Sequence, residues 1–181
     1  AQVRAVASGA LSSGDAVLVN SDGTVSVVAL ENVSQATGSR TAFNSTHTNW
    51  TSSAFDSSNN KVVIAYRNQD DLEHGYAVVG TVSGTTISFG TPVKFNAGNS
   101  EYNSIVYDTN AQKVVICYRD ASNSDYGTAI VGIVSGTSIS FGTEVVFVSS
   151  GAGFIDAVYD STNNAVVITY KDGSNFGKAI V

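Results

Sequence analysis

The sequence predicts an all-β protein, and three observations support this fold class. Val, Thr and other β-branched or aromatic residues cluster in runs of five to nine, separated by Asn, Asp, Ser and Gly. No stretch has apolar residues three and four positions apart over two helical turns without also showing the alternation of β-branched residues that is typical of a strand. The third observation is an internal repeat of 52 residues, which is typical of architectures built from tandem units.

Residues 1–37 do not follow this repeat and are predicted to form a separate β module. Two strands are expected within 11–28, joined at 20–23, where Asp22 and Gly23 are a strong hairpin signal. A hairpin ahead of a repeat array is typical of an attachment segment, although it would equally serve to cap the edge of the first sheet.

Residues 38–181 are predicted to form tandem repeats of 52 residues. A strongly β-forming run recurs in each copy, at 62–67, 114–119 and 166–171. Each repeat is expected to form four short antiparallel strands, and in the second repeat these are expected at about 102–107, 113–119, 127–135 and 138–147. The third repeat is expected to be incomplete, because it stops at Val181 about a strand and a half before the others end.

The second strand of each repeat indicates how the repeats pack. Val114, Ile116 and Tyr118 alternate with Val115 and Cys117, so both faces of this strand are apolar and both need cover. Four-stranded units that pack face to face around an axis form a β-propeller, which needs about 4 to 8 blades. We therefore expect a β-propeller-like array with an incomplete ring, completed by further sequence or by another chain.

Composition and charge exclude several classes of function. The chain carries 15 acidic and 9 basic residues and has no cluster of Lys and Arg, so neither nucleic acid nor an anionic membrane surface is an expected partner. Its apolar runs are too short to cross a bilayer, and residues 1–30 lack the pattern of a signal peptide. The single Cys117 excludes an internal disulfide and a thiolate metal cluster.

One acidic loop is the only concentration of potential metal ligands or acid and base groups. It contains Asp70, Asp71, Glu73 and His74, but it lacks the ligand spacing and the glycine of a calcium loop. A solvated loop is therefore favoured, and no metal or cofactor is expected.

The repeated polar residues favour structural roles over catalysis. Asp56, Asp108 and Asp160 recur at one place in every repeat, whereas catalysis needs one converged site, so turn capping is the expected role of these carboxylates. The cations at the end of the second strands, which are Arg67, Arg119 and Lys171, are expected to pair with the neighbouring acidic loop rather than to hold a free anion. Neither His47 nor His74 has a nucleophile motif beside it, so no enzymatic activity is expected.

Aromatic residues are the remaining candidates for recognition. Trp50, Tyr102 and Phe154 recur at intervals of 52 residues, which favours packing between sheets. Tyr76 and Tyr126 fall at strand starts or in loops, and an exposed Tyr can stack on a sugar ring or anchor a protein partner. These two residues are the candidate binding residues.

The repeat consensus resembles a known class of proteins. An aromatic residue and Asp precede Lys-Val-Val-Ile-x-Tyr-Arg, and Gly-x-Ala-Ile-Val-Gly and Val-Ser-Gly-Thr-x-Ile-Ser-Phe-Gly follow. This pattern is similar to repeats in virion structural proteins of marine tailed bacteriophages, either tail-fibre-like or capsid-associated, and residues 8–25 resemble the openings of such proteins. The resemblance implies a non-enzymatic structural or adhesive protein of the extracellular particle. It also implies contact with other virion proteins, with copies of itself or with a host surface glycan.

A second resemblance supports an alternative. The repeats look like the four-stranded blades of kelch and sialidase propellers, although the sialidase box Ser-x-Asp-x-Gly-x-x-Trp is absent. The alternative function is therefore a secreted bacterial carbohydrate-binding β-propeller, with a glycosidase as a more distant one.

Overall fold

The structure is a computed structural model that describes residues 6–7, 9–10, 17–22, 24–27 and 37–181. These residues form strands, turns and connecting segments, and none of them is helical, so the all-β prediction is confirmed for them. A membrane-spanning helix is accordingly not found among them. The chain divides into two compact units, Ala1–Thr37 and Gly38–Val181.

The first unit contains a three-stranded sheet. Its strands are β1 (Val6–Ala7), β2 (Val17–Val19) and β3 (Thr24–Val27). β2 and β3 are antiparallel, and β1 pairs with β3 in parallel. Asp22 Oδ1 accepts the backbone N–H of Thr24 at 2.9 Å and so stabilises the turn. The predicted pairing of two strands is confirmed, whereas residues 11–16, 23 and 28 of the predicted hairpin lie outside the described residues.

The second unit contains twelve further strands. In chain order they are β4 (Thr48–Asp56), β5 (Lys61–Asn68), β6 (His74–Ser83), β7 (Thr86–Phe89), β8 (Val93–Asp108), β9 (Lys113–Asp120), β10 (Tyr126–Ser135), β11 (Ser138–Phe141), β12 (Val145–Gly151), β13 (Gly153–Asp160), β14 (Ala165–Lys171) and β15 (Gly177–Ile180).

Each repeat forms an antiparallel set of strands, and β8, which pairs in both the first and the second repeat, joins β4–β12 into one nine-stranded sheet. In the first repeat β4 pairs with β5 and β5 pairs with β6, while β6 pairs with β7 and then with the first half of β8. In the second repeat the later half of β8 pairs with β9, β9 pairs with β10, and β10 pairs with β11 and β12. β13, β14 and β15 form the sheet of the third repeat.

Two strand boundaries in the second repeat differ from the prediction. The expected strand at 102–107 is the end of β8, a 16-residue strand that passes from the first repeat to the second without a turn. The expected strand at 138–147 is divided into β11 and β12, because residues 142–144 leave the ladder. There the N–H of Gly142 donates to the carbonyl oxygen of Val131 at 3.0 Å.

The repeats pack face to face, and β9 lies between two hydrophobic cores. Ile116 and Tyr118, both fully buried, belong to a cluster that includes Val63 of the first repeat. Cys117, on the other face of β9, belongs to a cluster with Ile168 of the third repeat. The prediction that both faces of this strand are buried is confirmed. No sheet closes on itself within the part of the chain that the structure describes.

Equivalent hydrogen bonds join successive repeats. Ser52 Oγ accepts the backbone N–H of Ile105 at 3.2 Å, and Ser104 Oγ accepts the backbone N–H of Ala157 at 3.0 Å. The two serines lie 52 residues apart, as do the two N–H groups. This serine contact between the first and second repeats therefore recurs between the second and third.

The recurring aspartates cap turns, as predicted. Asp56 Oδ1 accepts the N–H groups of Ser58 and Asn59, both at 3.0 Å. Asp108 and Asp160 accept the corresponding pairs of N–H groups in their own repeats. Each carboxylate therefore satisfies the backbone of its own turn.

Candidate functional site

Tyr76 lies in β6, and its hydroxyl group is already engaged. The hydroxyl donates to Asp71 Oδ2, and the ring stacks on Tyr66 at a centroid distance of 5.9 Å. Lys94 Nζ lies 2.9 Å from Asp71 Oδ2 and 5.4 Å from the centre of the Tyr76 ring. Tyr76 is thus half-buried within a polar cluster, and part of its ring faces solvent.

Tyr126 begins β10 in the second repeat. Its backbone N–H donates to the carbonyl oxygen of Asn123 at 3.1 Å, and its side chain is half-buried. In the 52-residue register Tyr126 corresponds to His74, and Tyr76 corresponds to Thr128. The two candidate residues therefore occupy different positions of their repeats and do not form one repeated site.

The acidic loop is tied to its surroundings by hydrogen bonds. Hydrogen bonds from Tyr76, Lys94 and His74 hold the pKa of Asp71 well below its usual value. Asp70 Oδ1 lies 2.8 Å from His47 Nδ1, and this contact raises the pKa of the imidazole. No group of three or more His, Cys, Asp or Glu side chains is placed to hold a metal ion among the described residues.

The strand-end cations meet a carboxylate that the sequence analysis did not single out. Glu101, on β8, has one oxygen 3.2 Å from Arg67 Nη1, and its other oxygen accepts a hydrogen bond from Arg119 Nη2. The loop acids lie farther away, since Glu73 is 3.8 Å from Arg67 and Asp125 is 3.5 Å from Arg119. The expected pairing with the loop is therefore secondary to the bridge through Glu101.

An aromatic row runs beside these cations. It consists of Trp50, Tyr102 and Phe154, each in the left-handed backbone region with φ between 50° and 52°. The ring centroids of Trp50 and Tyr102 are 4.4 Å apart, and those of Tyr102 and Phe154 are 5.3 Å apart. Arg119 lies 5.2 Å from the Tyr102 ring, and Lys171 lies 5.6 Å from the Phe154 ring. The rings thus pack between repeats, and Phe154 is 67% exposed at the end of the row.

A cavity of about 130 Å³ opens at the third-repeat end of this row. Tyr102, Arg119 and Lys171 line it, together with the backbone at Gly153 and the loop that begins at Asp172. Gly151, Gly153 and Gly173 have no side chain, so the main chain itself forms part of the cavity wall. The cavity therefore combines cations, an aromatic ring and exposed backbone.

Sequence reasoning missed Glu101 and Gly153 because it looked for residues that recur. These two positions correspond to one another and to Asn49 in the 52-residue register, so the repeat varies there. Comparing the repeats column by column would have marked this position as an exception beside strand-end cations that do recur.

The chain matches no known protein family, no curated protein and no solved structure.

Proposed function

We propose that the chain is a non-enzymatic structural or adhesive protein of a tailed-phage virion, either tail-fibre-like or capsid-associated. The observation that carries this proposal is the recurrence of one interface and one set of surface elements every 52 residues. The aromatic row and its cations are presented at the same place in successive repeats. A surface that repeats the same binding element suits multivalent binding, which raises the overall avidity without new contacts at each site. The likeness of the repeat consensus to phage virion proteins supports the same function.

We also propose that the repeats are blades of a propeller-like ring that further blades complete. The second repeat is covered on both faces, whereas Thr169, which corresponds to the fully buried Cys117, is exposed on the third. A covering partner would bury that face as the third repeat buries the second. Copies of the same chain or other virion proteins are the partners that this proposal favours, with a host surface glycan as the target of the adhesive function.

The alternative is a secreted bacterial carbohydrate-binding β-propeller. The observation that favours it is the presence of aromatic side chains on the surface beside cations, as at Phe154 and Lys171. Aromatic rings stack on sugars, and a glycan-binding protein outside a virion would use the same contacts.

Immunogold labelling of purified phage particles separates the two functions. Antibodies against residues 38–181 are expected to label the capsid or the tail of intact particles. Label confined to proteins secreted by bacteria, with none on particles, would reject the virion proposal and favour the alternative.

A glycan-binding screen tests the adhesive function directly. The chain is expected to retain specific glycans, and Tyr76→Ala and Tyr126→Ala are each expected to weaken the retention. Tyr159→Ala, at a turn-flanking position, is the matched control. A protein found on particles that retains no glycan would be structural rather than adhesive.

A further inference from the structure

The first and second repeats meet through a carboxylate held between two cations. Glu101 bridges Arg67 of the first repeat and Arg119 of its own repeat, and its side chain is only 16% exposed. A buried charge needs a partner, and here each guanidinium shares the same carboxylate. At this junction, therefore, a carboxylate occupies the space between successive strand-end cations.

The corresponding space between the second and third repeats has no carboxylate of this kind. Arg119 and Lys171 are the two successive cations there, and the position that corresponds to Glu101 is Gly153. The loop acceptor changes as well. The third loop is two residues shorter than the second, and Asn175 directly precedes Phe176 with a positive φ, as Asp125 directly precedes Tyr126. Lys171 Nζ donates to the amide oxygen of Asn175 at 2.8 Å, and an amide does not neutralise its charge.

The missing side chain leaves room. The cavity of about 130 Å³ lies beside Gly153, with Arg119, Lys171 and Tyr102 in its lining. A Cβ atom added at Gly153 would meet no atom closer than 3.7 Å, so the chain has space for a side chain that it does not carry. The cavity therefore lies where the first interface holds a carboxylate.

Asp172 is the acidic residue in the lining, and its charge is engaged elsewhere. Oδ1 accepts the backbone N–H groups of Ser174 and Phe176, each at 2.9 Å. Oδ2 lies 3.8 Å from Lys178 Nζ. Arg119 is likewise neutralised by Glu101 and Asp125, so Lys171 supplies the uncompensated positive charge of the cavity.

We propose that this cavity binds the carboxylate group of a small acid or an acidic sugar, in the place that the Glu101 carboxylate takes in the preceding interface. Lys171 and Arg119 contact the carboxylate, and the Tyr102 ring contacts the carbon atoms that carry it. The inference stands on the cavity and its lining, and it is independent of whether the chain belongs to a virion.

Nuclear magnetic resonance titration of the chain tests the proposal with three probes: sodium glucuronate, sodium acetate and glucose. Both carboxylates are expected to shift the backbone amide signals of Gly151, Gly153 and Gly173 in a saturable way, whereas glucose leaves them unchanged. Tighter binding of glucuronate than of acetate would place the sugar ring on Tyr102, and equal binding would assign recognition to the carboxylate alone. Shifts that are absent, that lie elsewhere, or that glucose produces equally would overturn the proposal.

Variants assign the binding to the cavity. Lys171→Gln is expected to weaken acetate and glucuronate binding at least about tenfold, because charge-assisted hydrogen bonds are the strong ones. Lys113→Gln removes a lysine at the start of β9 and should bind as the unchanged chain does. Gly153→Glu is expected to abolish binding and to raise the melting temperature by restoring an internal carboxylate, whereas Gly153→Gln fills the space without the charge and should not raise it. Unchanged binding in folded Lys171→Gln and Gly153→Glu proteins would reject the site.

Discussion

Cys117 lies fully buried between the second and third repeats, and burial raises the pKa of its thiol to about 12. Because the thiolate is the reactive form, both burial and the retained proton protect this side chain from thiol reagents. A thiol reagent at pH 8 is expected to label the native chain at least about 100-fold more slowly than the chain in denaturant. Since the chain has one cysteine, the reaction reports only on this interface. Equal rates in the two conditions would contradict the packing of the third repeat against the second.

Tyr118 is fully buried, whereas Tyr170, at the corresponding position of the third repeat, is half-buried. Tyr118→Ala is expected to lower the free energy of unfolding by about 3 to 5 kcal/mol, as other truncations of buried aromatic residues do. Tyr170→Ala is the matched control and is expected to cost clearly less. Reversible denaturant titration measures both, and a cost below about 1 kcal/mol at Tyr118 would contradict its place in the core.

Buried Tyr and Cys side chains make the free energy of unfolding depend on pH in the alkaline range. Burial raises the pKa of Tyr66 to about 12 from its usual 10.0, raises that of Cys117 to about 12 from 9.0, and raises that of Tyr118. From about pH 9 upward the folded chain therefore retains protons that the unfolded chain loses, so the free energy of unfolding falls as the pH rises. Denaturant titrations at pH 8 and pH 11 are expected to differ by at least about 1 kcal/mol. Stability that is equal or higher at pH 11 would show that these groups ionise in the folded state.

The residue scale shows what the sequence can predict and what it cannot. The alternation of Ile116, Cys117 and Tyr118 predicts two buried faces because side chains on successive strand residues point to opposite sides. Glu101 escaped prediction because its role depends on Arg67, which is distant in sequence and reaches it only once the repeats are packed. Periodicity marks residues that recur, and Glu101 does not recur.

At the scale of elements, the antiparallel strands of each repeat and the turns that Asp residues cap were predictable, but the long strand β8 was not. Asp56 and its equivalents identify turns by local hydrogen bonds that a short sequence window contains. β8 changes its pairing partner within one continuous strand, although 96–100 contain Asn, Gly and Ser, which are typical of turns. The register shifts against β6 occur around Gly75. A Cβ atom at Gly75 would lie 2.5 Å from the Phe95 ring, so the passage between repeats depends on tertiary packing.

Gly90 is a second close contact, at the connection between β7 and β8. A Cβ atom there would lie 1.9 Å from the carbonyl oxygen of Thr137, which belongs to the hairpin of the next repeat. Gly90→Ala is therefore expected to destabilise the chain by about 1 to 3 kcal/mol, because backbone must move to accept the methyl group. Gly142 holds the same position one repeat later, and its nearest atom would be 3.9 Å away.

Gly142→Ala is accordingly the matched control, with an expected change within about 0.5 kcal/mol. Denaturant titration of both variants compares one chemical change at two equivalent positions. Equal costs at Gly90 and Gly142 would contradict the close approach of the next repeat as the reason for glycine at position 90.

At the scale of the whole molecule, the repeats differ in how deeply their second strand is buried. β9 has a core on each face, whereas the side chains of β14 are mostly half-buried or exposed. Hydrogen exchange of the isolated chain is expected to be slower for amides of 113–120 than for those of 165–171, because amides in covered sheets open less often. Equal protection of the two strands would indicate that the repeats unfold together, regardless of their cover.

The serine contacts between repeats have a consequence for how such a chain changes over generations. Ser52 meets Ile105 as Ser104 meets Ala157, so an interface of this kind does not distinguish one neighbour from another. Duplication or loss of a segment that encodes the first or the second repeat would therefore keep this serine contact at the new junction. The Glu101 bridge, in contrast, is specific to one junction, because it needs Glu101 and both cations. A duplicated segment would have to bring the same three side chains together. The serine contact is thus common to both junctions between repeats, whereas the Glu101 bridge belongs to the first junction alone.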